Sequence, residues 1–169
     1  MTTIEEATPA DSTALKHLIE SAYRGDSARQ GWNHEADILD NERITRAEID
    51  ALLADPVVTV LVARDTDHQL LGCVAVTRKD NALGYLGTFC VDPQIQSRGL
   101  GSQLLAAAED HARGLGLAAM EMTVITLREV LIAWYERRGY RRTGETRPFY
   151  VPRDPPLTFA VLEKPLAPA

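Results

Sequence analysis

A short loop between a predicted strand and a predicted helix carries the clearest chemical signal in the sequence. Residues Val91–Ser102 read VDPQIQSRGLGS, with Gly99 and Gly101 where the helix begins. Glycines let a ligand approach the backbone, and the N–H groups and partial positive charge of a helix N-terminus suit a phosphate. The loop lacks the Gly-Lys-Ser/Thr end of a Walker A loop and the three glycines of a dinucleotide fingerprint. It predicts another kind of phosphate site, or a tight turn that binds no ligand.

The elements around this loop follow from hydrophobic periodicity and turn residues. Short connections between the first three strands indicate an antiparallel meander, and the strand–helix–strand order after them indicates a parallel crossover. We therefore expect an α/β fold with a central mixed, mostly antiparallel sheet and helices on both faces. The predicted helices are Asp11–Tyr23 with Asp11 as N-cap, one opened by the capping box Thr45–Glu48, Gly99–Arg113 and Leu127–Arg138; the predicted strands are Val57–Arg64, Leu70–Thr77, Tyr85–Val91, Ala118–Ile125 and Thr158–Leu162.

Composition limits the class of protein. A chain of 169 residues with 45% hydrophobic residues is expected to form one domain, residues 1–169, with a disordered tail from 165 to 169. The net charge of −6 disfavours nucleic acid as a partner. The sequence shows no leader and no membrane-spanning stretch, so we expect a cytoplasmic protein without membrane contact. Cys73 and Cys90 lie in apolar runs without metal-ligand spacing, so no metal is expected.

Two spaced motifs resemble those of the GCN5-related N-acetyltransferase (GNAT) family. The run Gln96–Gly101 matches the family's Q/R-x-x-G-x-G/A motif. The run Leu131–Tyr140 is similar to its second signature, a helix with a tyrosine shortly before a Gly-aromatic pair, and Ala7–Asp11 resembles the family's first strand and helix. The resemblance implies the family's fold, in which two central parallel strands splay apart, and acetyl-CoA as cosubstrate.

The resemblance also implies which residues would contact the cofactor. Backbone amides of the loop, contributed by Gln96, Ser97, Arg98, Gly99, Leu100, Gly101 and Ser102, would hold the pyrophosphate. The strand before the loop would have a bulge and would contact the cofactor through Phe89, Cys90 and Val91, with an N–H near Cys90 or Val91 polarising the thioester carbonyl; a complete sheet ladder is the alternative. Trp134 would also contact the cofactor.

Arg128 occupies a position where many members have Asn, so its contact with the cofactor would be that of a charged guanidinium. The nearby arginines, Arg137, Arg138, Arg141 and Arg142, fit solvated surface or a 3′-phosphate contact.

The resemblance also assigns catalytic and acceptor residues. Tyr135 would protonate the leaving thiolate, since a phenol is neutral at pH 7; packing in the core is the alternative. A general base is required, and Glu35, Glu121 and His34 are candidates, with Glu35 preferred. The acceptor pocket is expected to include Tyr23, Trp32, Asn33, His34 and Phe149, although each could serve only as a core or loop anchor.

The implied function is transfer of an acetyl group from acetyl-CoA to a primary amine by direct attack in a ternary complex. Residues 1–56 hold 12 acidic and 5 basic side chains, a net of −7. This excess fits solvated helix faces, or an acidic vestibule that attracts a small cationic or neutral amine. A protein Lys or N-terminal acetyltransferase and a non-catalytic acyl-CoA sensor remain alternatives. A homodimer is possible.

Overall fold

A computed structural model describes residues 2–23, 44–95, 99–149 and 156–167. Within these ranges the chain forms seven strands, four α-helices and two short 3₁₀ turns. The α-helices are α1 (Ser12–Tyr23), α2 (Arg46–Ala54), α3 (Leu100–Gly114) and α4 (Glu129–Glu136). The strands are β1 (Thr3–Glu6), β2 (Val58–Arg64), β3 (Leu70–Arg78), β4 (Leu83–Val91), β5 (Ala119–Ile125), β6 (Arg141–Pro148) and β7 (Thr158–Pro165).

The described strands form one sheet in the order β1-β2-β3-β4-β5-β7-β6. Every neighbouring pair is antiparallel except β4 and β5, which are parallel and joined through α3. This confirms the predicted mixed, mostly antiparallel sheet. Strand β6 was not predicted, because its side chains are nearly all exposed and carry no apolar alternation.

Alternating residues of the central strands build a core on each face of the sheet. On one face Leu61 and Val74 pack with α3 and α4. On the other face Val60 and Cys73 pack with α1 and α2. Successive side chains of a strand point to opposite faces, so apolar runs in β2 and β3 supply both cores. The helices therefore cover both faces, as predicted.

Two predicted boundaries need correction. Asp11 is not the N-cap of α1 but closes a 3₁₀ turn, Pro9–Asp11, where its carboxylate accepts the Thr8 N–H at 2.8 Å and pairs with Arg64 at 2.7 Å. Part of the segment expected to be a disordered tail is structured, because β7 includes Pro165 and buried Leu166 donates its N–H to the Ala118 carbonyl at 2.7 Å.

The parallel strands β4 and β5 pair for only three residues and then diverge. Leu83, Gly84 and Tyr85 pair with Ala119, Met120 and Glu121, and no further pair joins the described strands. On its other side β4 has a bulge, since Cys73 pairs with Cys90 and Ala75 with Gly87, so that Thr88 and Phe89 both lie opposite Val74. Thr88 adopts φ of +47°, in the left-handed region. The splay that the resemblance implied is thus present, and the implied bulge in this strand lies at Thr88–Phe89, directly before Cys90.

Candidate active site

A cleft of about 260 Å³ occupies the gap between the diverging strands. Its walls come from β4 and β5, and α4 and β7 close it with the side chains of Arg128, Leu131, Tyr135 and Phe159. Because the two strands stop pairing at Tyr85 and Glu121, backbone of both strands borders an open space instead of a ladder. The cleft is therefore a direct product of the splay.

Tyr135 is the buried tyrosine of this cleft. It is 5% exposed, and its ring packs edge-on against Trp134 at 5.1 Å and against Tyr140 at 5.8 Å, between ring centroids. Its hydroxyl has no hydrogen-bond partner among the residues that the structure describes. Burial raises the pKa of Tyr135 well above its ordinary value, against a smaller opposing effect of Arg128. The cleft thus holds a protonated hydroxyl that is available to a ligand.

The N-terminus of α3 adjoins the cleft. Gly99 is its N-cap with φ of +83°, and no described side chain caps the helix. A Cβ at Gly101 would lie 3.5 Å from the Trp134 ring and 3.9 Å from the Phe89 ring. Phe89 in turn lines the cleft and lies 6.2 Å from Tyr135 between ring centroids. The first N–H groups of a helix lack intrahelical acceptors, so these donors are offered next to the cleft.

Arg138 fixes α4 against this helix N-terminus. Its Nε and Nη2 donate to the Ser102 hydroxyl at 3.1 and 2.9 Å, Nη1 donates to the Trp134 carbonyl, and its guanidinium lies 3.7 Å from the Trp134 ring centroid. Ser102 and Trp134 were both predicted to contact the cofactor. The structure shows both residues in contact with Arg138, which links the two helices.

The remaining cofactor-side predictions divide into two groups. Phe89 and Arg128 line the cleft, and Arg128 is the N-cap residue of α4. The side chains of Cys90, Val91 and Leu100 instead lie in the core, Cys90 on the α1 face and the other two on the α3 face. Only the backbone of those three residues is then suited to a cofactor. Gln96, Ser97 and Arg98 lie outside the described residues.

Glu121 is a buried carboxylate held by two cations. Lys79 Nζ and Arg147 Nη2 each donate to it at 2.9 Å, and its side chain is 6% exposed. Burial alone would raise the pKa of Glu121, but the hydrogen bonds from Arg147 and Lys79 outweigh burial and lower it. It does not line the cleft. A carboxylate so held is a weak base, which disfavours Glu121 as the proton acceptor.

An aromatic pair lies at the end of the cleft formed by β6 and β7. Phe149 stacks near Phe159 with ring centroids 5.3 Å apart, and Phe159 lines the cleft. Of the other residues predicted for the acceptor side, Tyr23 ends α1. Trp32, Asn33, His34 and Glu35 lie outside the described residues.

Among the cleft residues that sequence reasoning missed, four carry a hydroxyl group or an aromatic ring. Tyr85 and Thr123 share a hydroxyl–hydroxyl hydrogen bond of 2.7 Å beside the last parallel pair, while Thr88 and Phe159 line the cleft from β4 and β7. All four lie in predicted strands, where tyrosine, threonine and phenylalanine are common and therefore do not indicate a functional site. The hydroxyls of Tyr85 and Thr123 among apolar strand residues are the one signal that could have marked them.

The comparisons with known proteins define the family. A model described as the acetyltransferase (GNAT) family matches residues 13–140, from α1 through the end of the second signature. This match covers well over half of the chain and both motifs. The chain belongs to the GNAT acetyltransferase family.

Individual relatives share the family but only part of the sequence. The chain is 35% identical over 104 residues to the mycothiol acetyltransferase of Clavibacter michiganensis, which covers 59% of this chain and 33% of that protein. It is 32% identical over 80 residues to the amino-acid acetyltransferase of Neisseria meningitidis, covering 47% of this chain and 17% of that protein. The chain therefore spans a third or less of the length of these curated relatives.

A solved structure agrees with the fold along nearly the whole chain. A phosphinothricin acetyltransferase from Sinorhizobium meliloti, in complex with AcCoA, superposes with a TM-score of 0.72 at 18% identity, covering 98% of this chain and 89% of that one. At this identity the likeness concerns the fold.

Two properties of the described residues concern metal binding and membranes. No group of three or more His, Cys, Asp or Glu side chains in these ranges is placed to hold a metal ion. No helix in the same ranges has the length and apolar character to cross a bilayer.

Proposed function

We propose that the protein transfers the acetyl group of acetyl-CoA to the nitrogen of a primary amine. The observation that carries the proposal is the cleft between β4 and β5, with a buried Tyr135 hydroxyl that has no partner among the described residues. Membership of the acetyltransferase family and the AcCoA complex of a structural neighbour support acetyl-CoA as the acyl donor.

The described residues fit such a cosubstrate. The N-terminus of α3 offers backbone donors for a pyrophosphate, and the left-handed Gly99 and the side-chain-free Gly101 keep the approach open. The splayed strands offer room and unpaired backbone for an extended arm beyond Tyr85. Acetyl-CoA, when bound, supplies an activated acyl group as a thioester.

Tyr135 is the proposed proton donor. The amine nitrogen attacks the thioester carbonyl carbon, a C–N bond forms, the C–S bond breaks, and the sulfur leaves as a thiol. The Tyr135 hydroxyl keeps its proton at neutral pH because burial raises its pKa, and it donates to the sulfur as charge develops there. The amine's own proton passes to a base, for which Glu35 remains the proposed residue.

A small cationic or neutral amine is the proposed acceptor. The acidic excess of residues 1–56 supports it. Part of that excess has a structural use, since Glu5 and Asp11 pair with Arg64, and Asp50 pairs with Arg46. The attraction for an amine is then proposed to come from the other acidic side chains of this segment.

A thiol-release assay with acetyl-CoA and a panel of amines tests the activity. The panel contains small cationic, neutral and acidic amines and Lys-containing and N-terminal peptides. We expect turnover with small cationic or neutral amines. Turnover with peptides alone would favour a protein acetyltransferase, and acetyl-CoA binding without turnover would favour an acyl-CoA sensor.

Filling the cleft tests the location of the reaction. A Cβ at Gly87, which lines the cleft, meets nothing within 4 Å, so Gly87→Leu places a side chain in open space and is expected to lower turnover at least tenfold. Gly114→Leu is the control, since a Cβ there also meets nothing and Gly114 lies at the far end of α3. Equal turnover of the two variants would contradict a reaction in the cleft.

A further inference from the structure

The two cysteines of the chain lie directly opposite each other beside the bulge of β4. Cys73 on β3 pairs in register with Cys90 on β4, and their sulfurs are 3.6 Å apart. Both side chains are buried, at 0% and 4% exposure. On sequence alone they fit small hydrophobic residues.

The Cys73 thiol has a second contact that packing does not require. Its Sγ donates to the Thr88 carbonyl oxygen at 3.3 Å, across the bulge. A bulge takes its extra residue out of the sheet ladder, so the thiol supplies a hydrogen bond that the ladder does not. Cys90 can donate to the same sulfur, which leaves the Cys73 hydrogen for Thr88.

Thr88 needs such support because its backbone is unfavourable. A β-branched residue in the left-handed region is uncommon and persists only when its surroundings hold it there. Thr88 borders the cleft on one side and the core residues Leu15 and Ile19 of α1 on the other. Its conformation therefore sets the course of β4 where that strand forms the wall of the cleft.

We propose that Cys73 is a positioning residue, whose thiol holds the Thr88 carbonyl and thereby keeps the β4 bulge in the shape that accepts the acyl-CoA. The inference rests on the proposed function, because the effect is read out in acyl-CoA binding. Cys73 touches neither the cleft nor the reacting atoms in this account and acts through Thr88.

The test compares Cys73→Ala with Cys73→Ser. Both substitutions remove the sulfur and leave a similar void, but only serine keeps a hydrogen-bond donor. We expect Cys73→Ala to weaken acetyl-CoA binding by calorimetry and to raise its KM, about five- to tenfold in each case, with a smaller change in kcat. Cys73→Ser should stay within about twofold of wild type, while both variants lose similar thermal stability.

A second experiment, in a protein that carries Thr88→Gly, distinguishes support of the bulge by Cys73 from the packing of Cys73 in the core. Glycine adopts the left-handed region readily, so Thr88→Gly should make the thiol dispensable. Cys73→Ala made in the Thr88→Gly protein is expected to bind acetyl-CoA within about twofold of Thr88→Gly itself. A Cys73→Ala protein that folds only with Thr88→Gly present would also support the proposal.

The outcomes that overturn the proposal are distinct from failure of the function. Equal losses in Cys73→Ala and Cys73→Ser, no loss in either, or a Cys73→Ala protein that does not fold even with Thr88→Gly would each make Cys73 a packing residue only. If wild type itself did not bind acetyl-CoA, the proposed function would be overturned and this inference with it.

Discussion

Two buried tyrosines, five residues apart, lie in regions of opposite character. The Tyr140 hydroxyl donates to Glu109 at 2.8 Å, and the other oxygen of Glu109 accepts from Lys164 at 2.9 Å. We call such a cluster closed, because its polar groups find their partners within the protein. Tyr135 lines the cleft, and its hydroxyl has no hydrogen-bond partner in the described part of the chain. Burial of an unsatisfied polar group costs stability unless a ligand or water completes it. Tyr140 therefore stabilises the fold, whereas the unpaired Tyr135 hydroxyl fits the proton donor proposed above.

The largest expected effect is that of Tyr135→Phe. Loss of the proposed proton donor should lower kcat about 10²-fold or more, since general acids contribute at this level. The ring contacts with Trp134 and Tyr140 remain, so the melting temperature should change little. Steady-state thiol release and thermal unfolding measure the two quantities. Unchanged turnover would remove Tyr135 from the mechanism and leave it a core aromatic.

Tyr140→Phe should show the reverse pattern. It leaves buried Glu109 without one donor and is expected to lower the free energy of unfolding by about 1–2 kcal/mol, with turnover close to wild type. Urea unfolding of the two Tyr→Phe variants side by side is the measurement. A Tyr140→Phe protein that lost activity as strongly as Tyr135→Phe would abolish the distinction between the two regions.

A smaller effect is expected at Glu121, which belongs to a second closed cluster. Its folded-state pKa is lowered, so its charge stabilises the fold above the unfolded-state pKa, and this stabilisation is lost as pH falls through the folded-state pKa. Glu121→Gln should lower stability at pH 7 by about 1 kcal/mol, because Lys79 and Arg147 are partly exposed and keep water. It should also flatten the decline of the melting temperature below about pH 4.5.

The control for this prediction is the pH dependence of turnover. If Glu121 has only this structural role, the pH profile of kcat/KM should keep its acidic limb in Glu121→Gln. Loss of that limb, with stability unchanged, would instead identify Glu121 as the general base.

The elements whose ends are marked by glycines or capping residues could be predicted from the sequence. Helix α3 begins one residue after Gly99 and ends at Gly114, within a residue of its predicted span, because glycines and an apolar stripe mark both ends. The N-cap half of the predicted capping box is confirmed, since the Thr45 side chain accepts the Glu48 N–H at 3.1 Å. Strand β6 could not be found, because an exposed polar strand lacks the alternation that burial imposes.

The candidate site could be predicted only in part. Tyr135 and Phe89 follow from the family motifs, and both line the cleft. The register shift at Thr88 could not, because no local signal marks a threonine that will adopt a left-handed conformation. The Tyr85–Thr123 bond depends on which two strands become neighbours, and that is a tertiary property.

Calorimetric titration of acetyl-CoA into wild type and Tyr135→Phe tests most directly whether the open region between β4 and β5 is an acyl-CoA site served by Tyr135. We expect micromolar or tighter binding to both proteins, with turnover retained only by wild type. Absence of a binding signal with wild type at millimolar acetyl-CoA would contradict it.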